Sequence, residues 1–218
     1  MPILNEREYR DMTIEAKVAE PDAETEDDAK IVQGYATRFN NFYELMSDDS
    51  FVMREMIAPT AFDDCDMSDV IMQYNHEGRV FARNSNNTLT VEPNGEGLFI
   101  IADLSGTEIG RELYEEIRGG YTTKMSFGFK VSTDEWREYT APDGRRAYDR
   151  TITGISKLYD VSAVSIPANN ATSISVRALA DGVIQKAEAE RLENEALNLE
   201  RKKAELRARA IKSTRRVN

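Results

Sequence analysis

The chain contains a single histidine, His76, in the stretch QYNHEGR. Histidine is the side chain whose ordinary pKa lies near neutrality, so it can take up and return a proton as a general base. A lone histidine between an apolar strand and a glycine is by default an ordinary residue at a strand end. Ser126, in KMSFGF, is of a type common in strands. What distinguishes it is its surroundings. Alternation turns Met125 and Phe127 to the opposite face, and Gly128 shares the serine's face without a side chain. That leaves open space beside the hydroxyl, as a peptide approaching a nucleophile needs. Asp160, in KLYDVSAV, interrupts an apolar strand, where alternation puts Leu158, Asp160 and Ser162 on one face. A carboxylate on a mostly buried sheet requires a cationic or hydrogen-bonding partner, and an imidazole, an arginine or backbone N–H groups all meet that need. A serine becomes a nucleophile beside a base, and the base gains from a carboxylate that fixes its tautomer. His76, Ser126 and Asp160 are of the right types for those roles, though spacing alone does not bring them together. With one cysteine, Cys65, and one histidine, the chain offers no intrachain disulfide, no cysteine-cluster zinc site and no histidine-rich metal site. No cofactor and no metal are expected.

The elements that must position these residues read mostly as strands. IVQGYATRF, FVMREMIAP, VIMQYN, RVFARN, TLTVEP and GLFIIADL recur at about ten-residue intervals, the rhythm of an antiparallel sandwich or barrel. Pro59 stops the second, with a short helix expected from Thr60 to about Asp66, and the Asn-Gly of PNGEG marks a turn. The period then changes. Ile109, Leu113 and Ile117 recur every fourth residue, predicting a helix with Thr107 as N-cap and Gly119-Gly120 as its stop. TTKMSFGFKVSTDEWREY returns to strand, APDGRR is a hairpin turn, and the segment from Arg145 to Pro167 supplies two more strands. The expected fold is a mainly β, antiparallel β-barrel of six to eight strands with a few packed helices and a C-terminal helical tail. Met53, Ile57, Phe62, Ile71, Phe99, Ile101, Leu113, Ile117, Phe129, Ile152 and Val161 are the expected core.

The 218 residues divide into three zones. Residues 1–29 end in the acidic AEPDAETEDDAK and read as a solvated arm or an acidic edge. Residues 30–178 form the β domain. Residues 181–218 lack proline and aromatic residues, and Leu192, Leu199 and Leu206 lie seven apart, with Ala189, Ala196, Lys203 and Ala210 at the other seam position. That is a weak heptad pattern, read either as a charged helical tail or as a coiled-coil or partner-docking helix. A linker is expected at Arg177 to Gly182. The net charge of −11 is uneven: the tail carries +3 and the remainder −14. An acidic body argues against binding a phosphate backbone, so no nucleic-acid partner is expected. No apolar run approaches the roughly 20 residues of a spanning helix, and the N-terminus lacks a signal-peptide pattern, so neither a membrane location nor secretion is expected.

Taken together, GYATRF at 34–39, REMIAPTAF at 54–62, YNHEGR at 74–79, GRELYEEIRGGYTTKMSFGF at 110–129 and LYDVSAVSIPAN at 158–169 resemble the prohead (procapsid maturation) proteases of tailed bacteriophages. That family is related in fold to the herpesvirus assembly proteases. The ordered set spans roughly residues 30–178. Pro59-Thr60-Ala61-Phe62 departs from the Gly-Ala-Phe of many relatives. The resemblance implies a serine endopeptidase with Ser126 as nucleophile, His76 as general base and Asp160 in the third position. It also implies a place inside the immature prohead, in the host cytoplasm, with the major capsid protein and the scaffold protein or scaffold segment as substrates, and commonly the protease itself. The tail would then dock on scaffold or capsid, or self-associate. A catalytically inactive capsid-assembly or scaffold protein on the same fold is the alternative, and a generic β-barrel binding module a more remote one.

Overall fold

The computed structural model describes residues 7–15, 17–18, 29–165 and 174–214. In chain order the strands are β1 (Arg7–Glu15), β2 (Lys17–Val18), β3 (Ile31–Arg38), β4 (Tyr43–Ser47), β5 (Phe51–Ile57), β6 (Ile71–Tyr74), β7 (Glu77–Arg83), β8 (Leu89–Pro93) and β9 (Gly97–Asp103). Helix α1 (Glu108–Arg118) follows, then β10 (Lys124–Thr140), β11 (Arg146–Val164) and helix α2 (Ile174–Thr214). Pro59 ends β5 as expected, opening a short 3-10 turn, Pro59–Phe62. The Thr107 hydroxyl caps α1 by accepting from the Gly110 amide, and Gly120, at φ +75°, carries the chain out of the helix.

The chain is mainly β, but among the described residues its strands do not close into an antiparallel barrel. They form a four-stranded antiparallel sheet in the order β2-β3-β9-β8 and a seven-stranded mixed sheet in which β1-β10-β11-β5-β4 run side by side, with β6 and β7 added at β11. The reason is the length of β11. The two strands expected there are one strand of 19 residues. Its Arg146–Ile152 stretch pairs in parallel with β5, and its Asp160–Ala163 stretch pairs in parallel with β6. A purely antiparallel meander contains no such pairs. Both sheets face one core, with Val32, Leu98, Ile100 and Ala102 from the smaller and Ile57, Met72, Phe127, Phe129 and Val161 from the larger. Met53, Ile57, Phe62, Leu113, Ile117, Phe129, Ile152 and Val161 are buried as expected. In β9, however, Leu98 and Ile100 point inward and Ile101 is 36% exposed, and in β6 Met72 rather than Ile71 is buried. β9 is apolar on both faces, so alternation does not set its register, whereas in β6 the polar Gln73 shares the Ile71 face and leaves the inward one to Met72.

The acidic first zone yields more than a solvated arm. Its β1 is an edge strand of the larger sheet, paired antiparallel with β10. Two of its charged side chains point inward. Arg10 is 1% exposed, and its Nε and Nη2 donate to the two oxygens of Glu55 at 2.6 and 2.9 Å. Arg150, fully buried, donates to Glu55 at 2.8 Å, to both oxygens of Glu8 at 2.8 and 3.1 Å, and to Asp134 at 2.7 Å. The cluster ties β1, β5, β10 and β11 together. Burial alone would raise the Glu55 pKa, but the charges of Arg10 and Arg150 outweigh it and bring the carboxyl down to about 2. Since this folded value lies below the unfolded one, near 4.3, the stabilisation is complete above that unfolded value and is lost as pH falls toward 2. Urea titrations at stepped pH should record a loss of about 3 kcal/mol from this group across that window. Glu55→Gln should remove that part of the slope; an unchanged slope would count against the cluster.

Contacts divide the chain into one unit over Ile3–Arg177 and a second over Ala178–Asn218. Helix α2 has 41 residues, about 60 Å at the usual rise. It already includes Arg177 to Gly182, so the linker expected there is helix instead. Leu192 is 60% exposed on it. The side chains of Leu199, Leu206 and Ala210, and the expected strand end at Pro167, lie outside the described residues. No helix of the described residues is long and apolar enough to cross a membrane.

Candidate active site

Three neighbouring strands and one turn bring His76, Ser126 and Asp160 together. Ser126 lies on β10 and pairs with Ser162 of β11, while Gly128 pairs with Asp160. Ser126, Gly128, Asp160 and Ser162 thus share one face. The other face carries Met125, Phe127, Val161 and Ala163 into the core. Leu158 does not share the Asp160 face as expected. The register shifts there, Gly128 facing Asp160 and Phe129 facing Leu158. Tyr159 is therefore an extra residue in β11, a bulge that sends Leu158 to the core and keeps Asp160 on the site's face.

His76 reaches this face from the β6–β7 hairpin. Asn75 and His76 are its two-residue turn, both with positive φ, 50° and 60°. Positive φ at both central positions is the mark of a type I′ turn, whose twist matches that of the flanking strands. β6 runs along β11, and the Asn75 amide bonds the Ala163 carbonyl, fixing the turn above Ser162.

The distances form a relay. His76 Nδ1 lies 2.5 Å from Asp160 Oδ1, and His76 Nε2 lies 2.5 Å from Ser126 Oγ. Ser162 Oγ donates to the same Asp160 oxygen at 2.8 Å, and Arg7 of β1 bonds the other. Burial raises the Asp160 pKa, but hydrogen bonds and charge from His76, with the bonds from Arg7 and Ser162, bring it below the ordinary carboxylate value. Asp160 is therefore ionised at neutral pH, so Nδ1 carries the imidazole proton and the Nε2 lone pair points to Ser126 Oγ, where it can accept the serine's. Such an arrangement can deprotonate a serine as it attacks a carbonyl and return the proton to a leaving group. Among the described residues no group of three or more His, Cys, Asp or Glu is placed to hold a metal ion.

The open space expected beside Ser126 is filled. A Cβ added to Gly128 would meet Asp160 Oδ2 at 2.3 Å, Tyr9 Cε1 at 2.9 Å and Arg7 Nε at 3.2 Å. The glycine thus makes room for the carboxylate itself. Gly128→Ala should push Asp160 from His76 and lower kcat by about 10- to 100-fold with little change in KM. An alanine variant with native kcat would show that Asp160 does not need that space.

Sequence reasoning placed Ser162 on the Asp160 face without giving it a role, and missed Arg7 and Tyr9. The Tyr9 ring packs on the imidazole, with centroids 4.4 Å apart. Ser162 sits two residues beyond Asp160 in a strand, so alternation gave a usable signal for it. Arg7 and Tyr9 lie in the segment read as an arm.

A sequence profile described as caudovirus prohead serine protease matches residues 15–185. No curated protein matches the chain, and no solved structure does.

Proposed function

The chain belongs to the caudovirus prohead serine protease family, and from that premise we propose that it is a serine endopeptidase of phage capsid maturation, with Ser126, His76 and Asp160 as its catalytic residues. The observation that carries this reading is the unbroken relay from Asp160 through both nitrogens of His76 to Ser126 Oγ. Ser126 Oγ attacks the scissile carbonyl carbon while its proton passes to His76 Nε2. Asp160 stabilises the imidazolium that forms. The imidazolium then protonates the leaving amine, and a water activated by the same nitrogen releases the acyl group.

The substrates that fit this role are the major capsid protein and a scaffold protein or scaffold segment, and the protease itself, within the immature prohead in the host cell. Purified chain incubated with its cognate capsid protein should produce defined fragments and should bind a fluorophosphonate covalently at Ser126. An intact capsid protein together with an unlabelled serine would dismiss the reading.

In the same reading, the tail from residue 181 is a localisation device rather than part of the catalytic unit. Its +3 charge and its Leu192, Leu199 and Leu206 repeat suit an acidic scaffold surface or a partner helix. Deleting 181–218 should leave hydrolysis of a scaffold-derived peptide within about twofold of native while lowering protease copies per prohead. Loss of peptide hydrolysis would assign the tail to the catalytic unit.

A further inference from the structure

Ser126 is fully buried, as are Asp160 and Ser162. Strand β1 touches every member of the relay. Arg7 bonds Asp160, Tyr9 packs on His76, and the Arg10 carbonyl oxygen accepts a hydrogen bond from Ser126 Oγ at 3.0 Å. A serine hydroxyl has one proton, and here two acceptors compete for it, the Arg10 carbonyl and His76 Nε2. The Arg10 carbonyl thus meets the serine through its oxygen, as a competing hydrogen-bond acceptor, and not through its carbon as the target of attack.

Resting on the protease reading above, we propose that the edge of β10 beside Ser126 is the substrate-binding edge, that an extended peptide pairs there with the carbonyl of a basic residue at the nucleophile and that residue's side chain among the buried carboxylates, and that β1 is its built-in competitor.

Three features support this. First, β1 is the outermost strand of its sheet, so a second extended segment can take its place by the same main-chain bonds. Second, the register brings a main-chain carbonyl to the nucleophile: Arg10 lies opposite Phe127 and Asp11 opposite Ser126, and the carbonyl at Ser126 Oγ belongs to Arg10. Third, the pocket is charged to suit. Withdrawal of β1 removes Arg10 and Glu8 together, leaving Arg150 between two carboxylates, Glu55 at 2.8 Å and Asp134 at 2.7 Å. That remainder is one negative charge in excess, and a buried site of that sign selects a cationic side chain.

The test uses the full chain and the rate of fluorophosphonate labelling of Ser126, which scales with the fraction of molecules in which the serine is accessible. Arg10→Ala should label at least about tenfold faster than the native chain. A peptide of sequence NEREYRDMTIE should slow that variant, and the same peptide with alanine for its second arginine should not. Equal rates for Arg10→Ala and native chain, or equal inhibition by both peptides, would overturn the proposal. A tether covers the case in which Arg10→Ala does not fold. Arg7 and Lys130 face each other across β1 and β10, at a separation a disulfide spans. Arg7→Cys with Lys130→Cys should label at least about tenfold more slowly when oxidised than when reduced. Equal rates in the two redox states would remove this proposal and leave the protease reading standing. No labelling of any folded form would remove both.

Discussion

Ser126→Ala should lower peptide hydrolysis by about 10⁴-fold or more while leaving the fold in place. The change deletes one oxygen, whose two partners are His76 Nε2 and the Arg10 carbonyl. The Ser126 side chain makes no apolar contribution to the core, so the melting temperature should shift by only a few degrees, about 1 kcal/mol at most. In cells producing the mutant with its capsid protein, proheads should accumulate uncut. Capsid protein cut at native levels would exclude Ser126 as the nucleophile.

Asp160→Asn should cost about 10³- to 10⁴-fold in kcat with KM nearly unchanged, because the amide enforces the wrong imidazole tautomer. Arg7 is a donor fixed on the Oδ2 side, so the amide oxygen stays with Arg7 and the NH2 group turns to His76 Nδ1. Nδ1 must then accept, Nε2 carries the proton, and Nε2 has nothing to take the serine's proton with. The pH profile gives an independent readout. Native activity should fall on the acid side as the imidazole protonates. A carboxylate favours the imidazolium, so its loss should move the acid limb of any residual activity to lower pH. An Asn variant with native kcat and an unmoved acid limb would take Asp160 out of the site.

Much of this architecture was legible because local rules governed it. Thr107 and Gly119-Gly120 bound α1 by capping chemistry, and β3, β5 and β8 follow β-branched and aromatic runs between turn residues. The identities of Ser126, His76 and Asp160 were accessible from residue type and resemblance; their meeting was not, since it depends on parallel pairing of β6 with β11 and on a bulge at Tyr159. Neither leaves a periodic trace. β1 was hidden for a different reason. Its inward residues, Glu8 and Arg10, are charged and its outward Tyr9 is aromatic, the reverse of the usual strand pattern, because one face packs against buried ions and the other against His76. The faces of β9 were misread because Phe99 and Ile101 are as apolar as Leu98 and Ile100, so burial alone picks the side.

The wide separation along the chain of the residues that meet here sets a timetable. His76 and Ser126 stand 50 positions apart, His76 and Asp160 84, and Arg7 and Asp160 153. Contacts between such distant segments close late, after the entropy of large loops has been overcome. On the ribosome, which releases the N-terminal end first, β1 emerges before the turn with His76, the strand with Ser126 and, last, Asp160. The strand that contacts all three is thus in the cell before any pair of them can form. A nascent or prematurely terminated chain lacking Asp160 has no ionised partner to set the imidazole, whatever else it has folded. Truncated translation products of this protein should for that reason be harmless to the proteins around them, and only a chain read through at least residue 160 carries the complete relay.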